Sequence, residues 1–124
     1  MTVAFLTSLD IRDIDDHNWQ LIAPFCVDVD GVLICAPAGM ITDFASVPRL
    51  PLAYMLLGNI GHRAAVIHDH LYASGEIPRA DADAIFRAIL LAEGVSSFRA
   101  GLMYAGVRVA GGRYYNPTGA SDAG

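Results

Sequence analysis

The chain has 124 residues, 54% hydrophobic and 17% charged, which is enough apolar side chain for one core and too little length for two domains of ordinary size. Its eight basic residues are all arginine, scattered singly from Arg12 to Arg113, against 13 acids; a formal net charge of −5 leaves no basic stripe for a phosphate backbone. Nucleic acid is thereby excluded as the expected partner and disorder as the expected state, while the apolar excess favours an assembly contact.

No basic segment followed by an apolar run opens the chain, so no signal peptide is expected. The most apolar stretch, 84–92, contains Arg87 and is too short to span a bilayer. One globular domain over residues 1–115 is expected, with a flexible tail over 116–124, no transmembrane segment, and synthesis in the cytoplasm.

Residues 3–9 are a candidate strand, and 10–18, with four Asp and one His, read as a loop or short helical turn. Residues 21–30 are rich in β-formers, Asp30-Gly31 is a hairpin signal, and 32–36 supply the return strand. Cys26 and Cys35 flank that turn. A cross-strand disulfide is geometrically open to them, but an apolar domain of this size favours buried free thiols. Residues 37–51 are broken by proline and short side chains, as expected of a loop beside a site, and 52–57 form a short helix ended by Gly58.

Three helices follow. Residues 61–73 carry Ala64, Ala65, Ile67, Leu71 and Tyr72 at helical spacing and stop at Gly75. Pro78 opens the second, with Asp81 and Asp83 in its first turn and Ile85, Phe86, Ile89 and Leu90 on one face up to Gly94. Ser96 or Ser97 caps the third, which runs through Phe98, Leu102, Met103, Val107 and Val109 toward Gly111-Gly112. The fold class expected is α+β: an N-terminal antiparallel hairpin or small sheet packed on about three C-terminal helices.

Chemistry concentrates in His68-Asp69-His70-Leu71-Tyr72. Residues four apart share a helix face, so His68 and Tyr72 look one way while Asp69 looks sideways. The tight turn at 74–78 returns the chain so that Asp81 or Asp83 reaches the imidazole, fixes its tautomer and leaves the other ring nitrogen free to deprotonate water. Asp83 is the preferred orienting acid. Acids in a first turn also complement the helix dipole, and Asp83 has Arg87 four residues on as an alternative partner. Asp69 is a candidate oxygen ligand for a divalent cation, with Asp43 as the second carboxylate; an Asx-type turn is the other use for Asp43. His70 points away from His68 and is expected to be exposed, and neither His62 nor His17 has a spacing that argues for a ligand set.

Four ordered segments carry a family resemblance: 39–49 (Gly-Met-Ile-Thr-Asp-Phe-Ala-Ser-Val-Pro-Arg), 64–72 around His68-Asp69, 79–86 around Asp81 and Asp83, and Met103-Tyr104-Ala105-Gly106-Val107-Arg108. Together they resemble the phage and prophage family called domain of unknown function 1353, over roughly residues 20 to 112. The resemblance implies a bacteriophage or prophage origin and supplies no activity. A narrower likeness rests on His68-Asp69-x-x-Tyr72 plus a later Asp, which is similar to the His-Asp-x-x-Tyr helix of secreted and parvoviral phospholipase A2 enzymes. It implies His68 as base, Asp69 as calcium ligand, and Asp83 and Tyr72 as support. The glycine-rich calcium loop of those enzymes is not visible upstream. His-Asp metal phosphohydrolases share the doublet, but would need His62 or His17 as first ligand on a helical bundle.

Two functions follow as expectations. One is a small phage-encoded, metal-assisted hydrolase, using calcium first and zinc or magnesium as alternatives, that acts on phospholipid or a cell-envelope bond. The other is a non-catalytic virion or assembly component, in which the polar cluster pins the helices and apolar surface docks on other phage structural proteins. Either is made in the bacterial host cytoplasm and is open to virion association.

Overall fold

The computed structural model describes residues 1–15, 18–42 and 61–117. Among the described residues, six short strands precede three helices: β1 (Val3–Phe5), β2 (Ile11–Asp13), β3 (Trp19–Leu21), β4 (Phe25–Val29), β5 (Val32–Ala36), β6 (Ile41–Thr42), α1 (His62–Ser74), α2 (Arg79–Ala92) and α3 (Ser97–Ala110), then a 3-10 turn at Gly112–Tyr114. The strands make two antiparallel three-stranded sheets, in the orders β1-β4-β5 and β2-β3-β6. The α+β architecture is therefore the one read from the sequence. The short helix expected over 52–57 lies outside the described residues.

The hairpin forms where Asp30-Gly31 places it. Asp30 has φ 52° and Gly31 φ 85°, the two positive values of a type I′ turn, whose twist matches that of the flanking strands. Asp30 further accepts from the amide of Thr2 at 2.7 Å, tying the first residues to the turn. Along β4, Phe25, Val27 and Val29 are buried while Cys26 and Asp28 are only half-buried, the period of two expected of a sheet with one face on a core.

That period corrects the expectation of free thiols. A two-residue turn puts Cys26 directly opposite Cys35, with Cα atoms 4.1 Å apart, and the pair forms a disulfide. Both lie on the face away from Phe25, Val27, Ile34 and Ala36, so the apolar neighbours in sequence are not their neighbours in space. Two more corrections concern the strands. The polar stretch 10–18 contains β2, which pairs with β3 through Ile11 and Leu21. The run 21–30 is interrupted after Leu21, because Pro24 has no amide to give a ladder and β4 starts only at Phe25.

α1 packs on α2 and α3 on α2, while β5 meets α1 and β1 meets α2. Leu21, Phe25, Val27 and Ala36 from the strands meet Val66, Ile67, Phe86 and Leu90 from the helices in one core. α1 begins at Gly61 with no side-chain cap of its own. Glu93, just past α2, takes its place: Glu93 accepts from the amides of Ala64 at 3.0 Å and Arg63 at 3.3 Å, two of the donors a helix start leaves open. Burial pushes its carboxyl above the usual range, partly offset by those amides. α1 stops at Gly75 in the left-handed region, and Ser96 caps α3 by accepting from the Arg99 amide at 3.3 Å. Among the described residues, no helix is long and apolar enough to cross a membrane.

Candidate active site around a buried aspartate

The tight turn between α1 and α2 sets the two helices side by side, so that the face of α1 carrying His68 and Tyr72 meets α2 just past its first turn, one turn beyond the position expected for Asp83. Asp83 lies there, fully buried. Its Oδ1 receives His68 Nε2 at 2.7 Å and the Tyr72 hydroxyl at 2.5 Å, and its Oδ2 receives Arg108 Nη1 at 2.8 Å. Arg79 Nη1 stands 3.6 Å from the same Oδ2. An ionised carboxylate only accepts, so His68 must present Nε2–H to it, and in the neutral imidazole the lone pair falls on Nδ1.

Burial alone would push the Asp83 carboxyl up. Hydrogen bonds from His68, Tyr72 and Arg108 outweigh it and hold the group below the usual carboxylate range. The Tyr72 phenol is raised, first by burial and then by its bond to Asp83, against a smaller opposing effect of Arg79. Asp83 is thus an anion and Tyr72 a neutral donor at ordinary pH. The His68 ring packs between Tyr72, 4.1 Å between centroids, and Phe86, 4.6 Å, tilted 42° to each, and is 5% exposed. Its orientation is over-determined by two rings and one carboxylate.

Of the sequence candidates, the structure brings His68, Tyr72 and Asp83 together. Asp81 is exposed in the first turn of α2, so the choice between the two acids falls on Asp83. Arg87 is not its partner; Arg79, four residues before Asp83, and Arg108, from α3, are. Asp69 is half-buried on the flank of α1 and accepts from the Thr42 hydroxyl at 2.9 Å, which ties α1 to β6. Asp43, the residue after Thr42, lies outside the described residues, as does His17. Among the described residues, no three His, Cys, Asp or Glu side chains are grouped to hold a metal ion. His70 is half-buried rather than exposed, and burial lowers its pKa against the opposing pull of Glu76; burial and Arg63 do the same to His62.

Reading the sequence for chemistry missed Arg79 and Arg108. Arg79 donates to the carbonyls of Val107 and Arg108, both at 3.1 Å, and to the Tyr72 hydroxyl at 3.3 Å, so it closes the end of α3 against the site. A signal existed in the i, i+4 spacing of Arg79 and Asp83; no spacing ties Arg108 to Asp83, from which it stands 25 residues away, although it closes the last of the four family segments.

Gly111 is the close-approach position of the site. A Cβ there would stand 2.5 Å from the Val107 carbonyl and 2.9 Å from the Tyr72 hydroxyl. Its φ of −82° suits any residue, so space and not backbone conformation demands glycine. Gly111→Ala is expected to push the Tyr72 hydroxyl off Asp83 and to lower stability by about 1–3 kcal/mol, as overpacking does. Urea denaturation, with tyrosine absorbance following the phenol, checks both effects.

A family model described as Protein of unknown function (DUF1353) matches residues 19–107. No curated protein and no solved structure matches the chain.

Proposed function

The chain belongs to the DUF1353 family, and from that premise we propose that it is a small phage-encoded hydrolase whose His68 activates water. The carrying observation is the hydrogen-bonded set His68 Nε2, Asp83 Oδ1 and Tyr72 hydroxyl. A base needs one ring nitrogen committed to an orienting acid and the other carrying a lone pair. That is the tautomer Asp83 imposes. His68 Nδ1 takes a proton from water, the resulting oxygen attacks an ester or amide carbonyl, and the proton passes on to the leaving group. Tyr72 holds Asp83 in place without competing as an anion. The set resembles the His-Asp-x-x-Tyr helix of phospholipase A2 enzymes, and that resemblance favours membrane phospholipid as substrate ahead of another cell-envelope bond.

Asp69, with Asp43 next in sequence to its partner Thr42, is the candidate holder of a divalent ion. The donors are oxygens, which suits calcium or magnesium better than zinc. Such an ion supplies charge stabilisation for the oxyanion. The Cys26–Cys35 disulfide fits action outside a reducing cytoplasm, in a virion or at the envelope it enters.

A second reading has an observation of its own. Asp83 is fully buried, His68 nearly so, and no buried side-chain nitrogen or oxygen among the described residues lacks a partner. A closed network of this kind also serves as a pin in a non-catalytic virion or assembly component. The two readings part on His68→Asn, assayed for product release from phospholipid vesicles and cell-envelope material with calcium, magnesium or EDTA present. The hydrolase predicts a loss of about 10³-fold in rate with the fold retained, within the usual range for a positioned base. Wild type inert under every condition, with His68→Asn unfolding the chain, establishes the pin.

A further inference from the structure

We propose that the outer face of α3 adsorbs to an anionic lipid surface. α3 is apolar on two opposite sides. Its inner side buries Ala100, Met103 and Val107 against α2. Its outer side displays Phe98, 74% exposed, and Val109, 87% exposed, with Leu102 half-buried and Ala105 exposed between them. At about 100° per residue these four fall within a sector of roughly 60°, opposite the buried side. Scattered exposed apolar residues need no explanation, but four aligned along one helix do.

Charge selects the occupant. Residues 96–115 contain Arg99, Arg108 and Arg113 and not one Asp or Glu, in a chain whose net charge is −5. Arg99, exposed, borders the apolar stripe at about 100° from Phe98, while Arg108, at about 80° on the other flank, is turned inward to Asp83. A second copy of the chain laid on this face would bring the exposed Arg99 of each copy onto a helix that has no acid to offset it. A bilayer with anionic headgroups resolves both features: Phe98, Leu102 and Val109 enter the acyl boundary while Arg99 reaches the headgroups. The acids elsewhere act over a Debye length of about 8 Å, whereas Arg99 borders the contact itself. With 14 residues, α3 is about 21 Å long, suited to lying in the interface and too short to cross it.

The adsorption stands whether or not His68 activates water, and the test keeps the two apart. Co-sedimentation of the full chain with vesicles of phosphatidylcholine alone and with added phosphatidylglycerol reads binding directly. Wild type is expected to bind the anionic vesicles and to be released by salt. Phe98→Ser with Val109→Ser is expected to lower the partition coefficient at least about tenfold with an unchanged melting temperature, because both side chains are already in solvent. Arg99→Glu should weaken binding to anionic vesicles alone, and Phe98→Trp should shift its fluorescence to the blue on adding them. His68→Asn, at a temperature where it is folded, should bind as wild type. No wild-type binding to anionic vesicles overturns the proposal, and so does binding that the double serine variant retains. Self-association of the wild type that the double variant abolishes, with no vesicle binding in either, assigns the face to a second copy instead.

Discussion

Asp83→Ala is expected to cost about 3–5 kcal/mol of folding stability, the penalty for removing one partner from a buried ionic cluster. For a chain of this length that lowers the melting temperature by about 10–20 °C. The loss comes less from the carboxylate than from what it leaves behind. Arg108, His68 and Tyr72 all point their donors at Asp83, and an alanine methyl accepts from none of them. Arg79 and Arg108 retain contact with water, with side chains 24% and 33% exposed, which places the expected loss in the lower half of the range. Thermal melts followed by circular dichroism measure it. A loss below about 1 kcal/mol, typical of an exposed ion pair, would show that solvent already satisfies the cluster.

The same cluster makes stability depend on acid. The Asp83 carboxyl is held below its ordinary value in the fold, so its contribution is fully present above the unfolded value of about 3.9. It is lost as pH falls from there through the folded value. Acid titration of the wild type should therefore show an unfolding limb below pH about 4 that Asp83→Asn flattens. Glu93 works in the opposite direction: its carboxyl is raised in the fold, so stability falls as pH rises from the unfolded value through the folded one. The two carboxyls give the acid limb its sign by competition, and the Asp83 variant isolates one of them.

What could be read from the sequence divides by the distance over which the cause acts. The Asp30-Gly31 turn and the Gly75 stop are each decided within a few residues and stand where the sequence placed them, and the cap left between Ser96 and Ser97 falls on Ser96. The meeting of His68, Tyr72 and Asp83 was also legible, because one short turn fixes how α2 lies on α1. Arg108 was not. Its approach depends on how α3 settles on α2, and nothing in the helix itself distinguishes it from Arg99, which stays in solvent. The disulfide was misjudged for a related reason: composition suggested buried thiols, while register, a property of two strands at once, set Cys26 against Cys35. Strand β2 hid in an acidic stretch because its partner β3 and not its own propensity makes it a strand.

The second large effect is expected from Asp83→Asn on rate. An asparagine keeps the shape of the carboxylate but has one acceptor oxygen and one donor nitrogen. Arg108 can only donate, so the amide oxygen turns to it and the amide N–H groups face His68 Nε2. The imidazole then gives up its proton at Nε2 and carries it on Nδ1, where the water-activating lone pair had been. Loss of the right tautomer with the geometry intact is worth about 10⁴-fold where a histidine base depends on an aspartate. The hydrolase reading therefore predicts a fall of about 10³ to 10⁴ in hydrolysis rate at a temperature where the variant is fully folded. Tyr72→Phe, which removes a support of Asp83 but leaves the tautomer unchanged, should cost about tenfold or less. Nitrogen NMR of the His68 ring gives a readout independent of turnover: the proton moves from Nε2 in the wild type to Nδ1 in Asp83→Asn. A ring that keeps its proton on Nε2 in the variant would remove the physical basis of this prediction. A rate that falls only with the folded fraction would return the cluster to the role of a pin between helices.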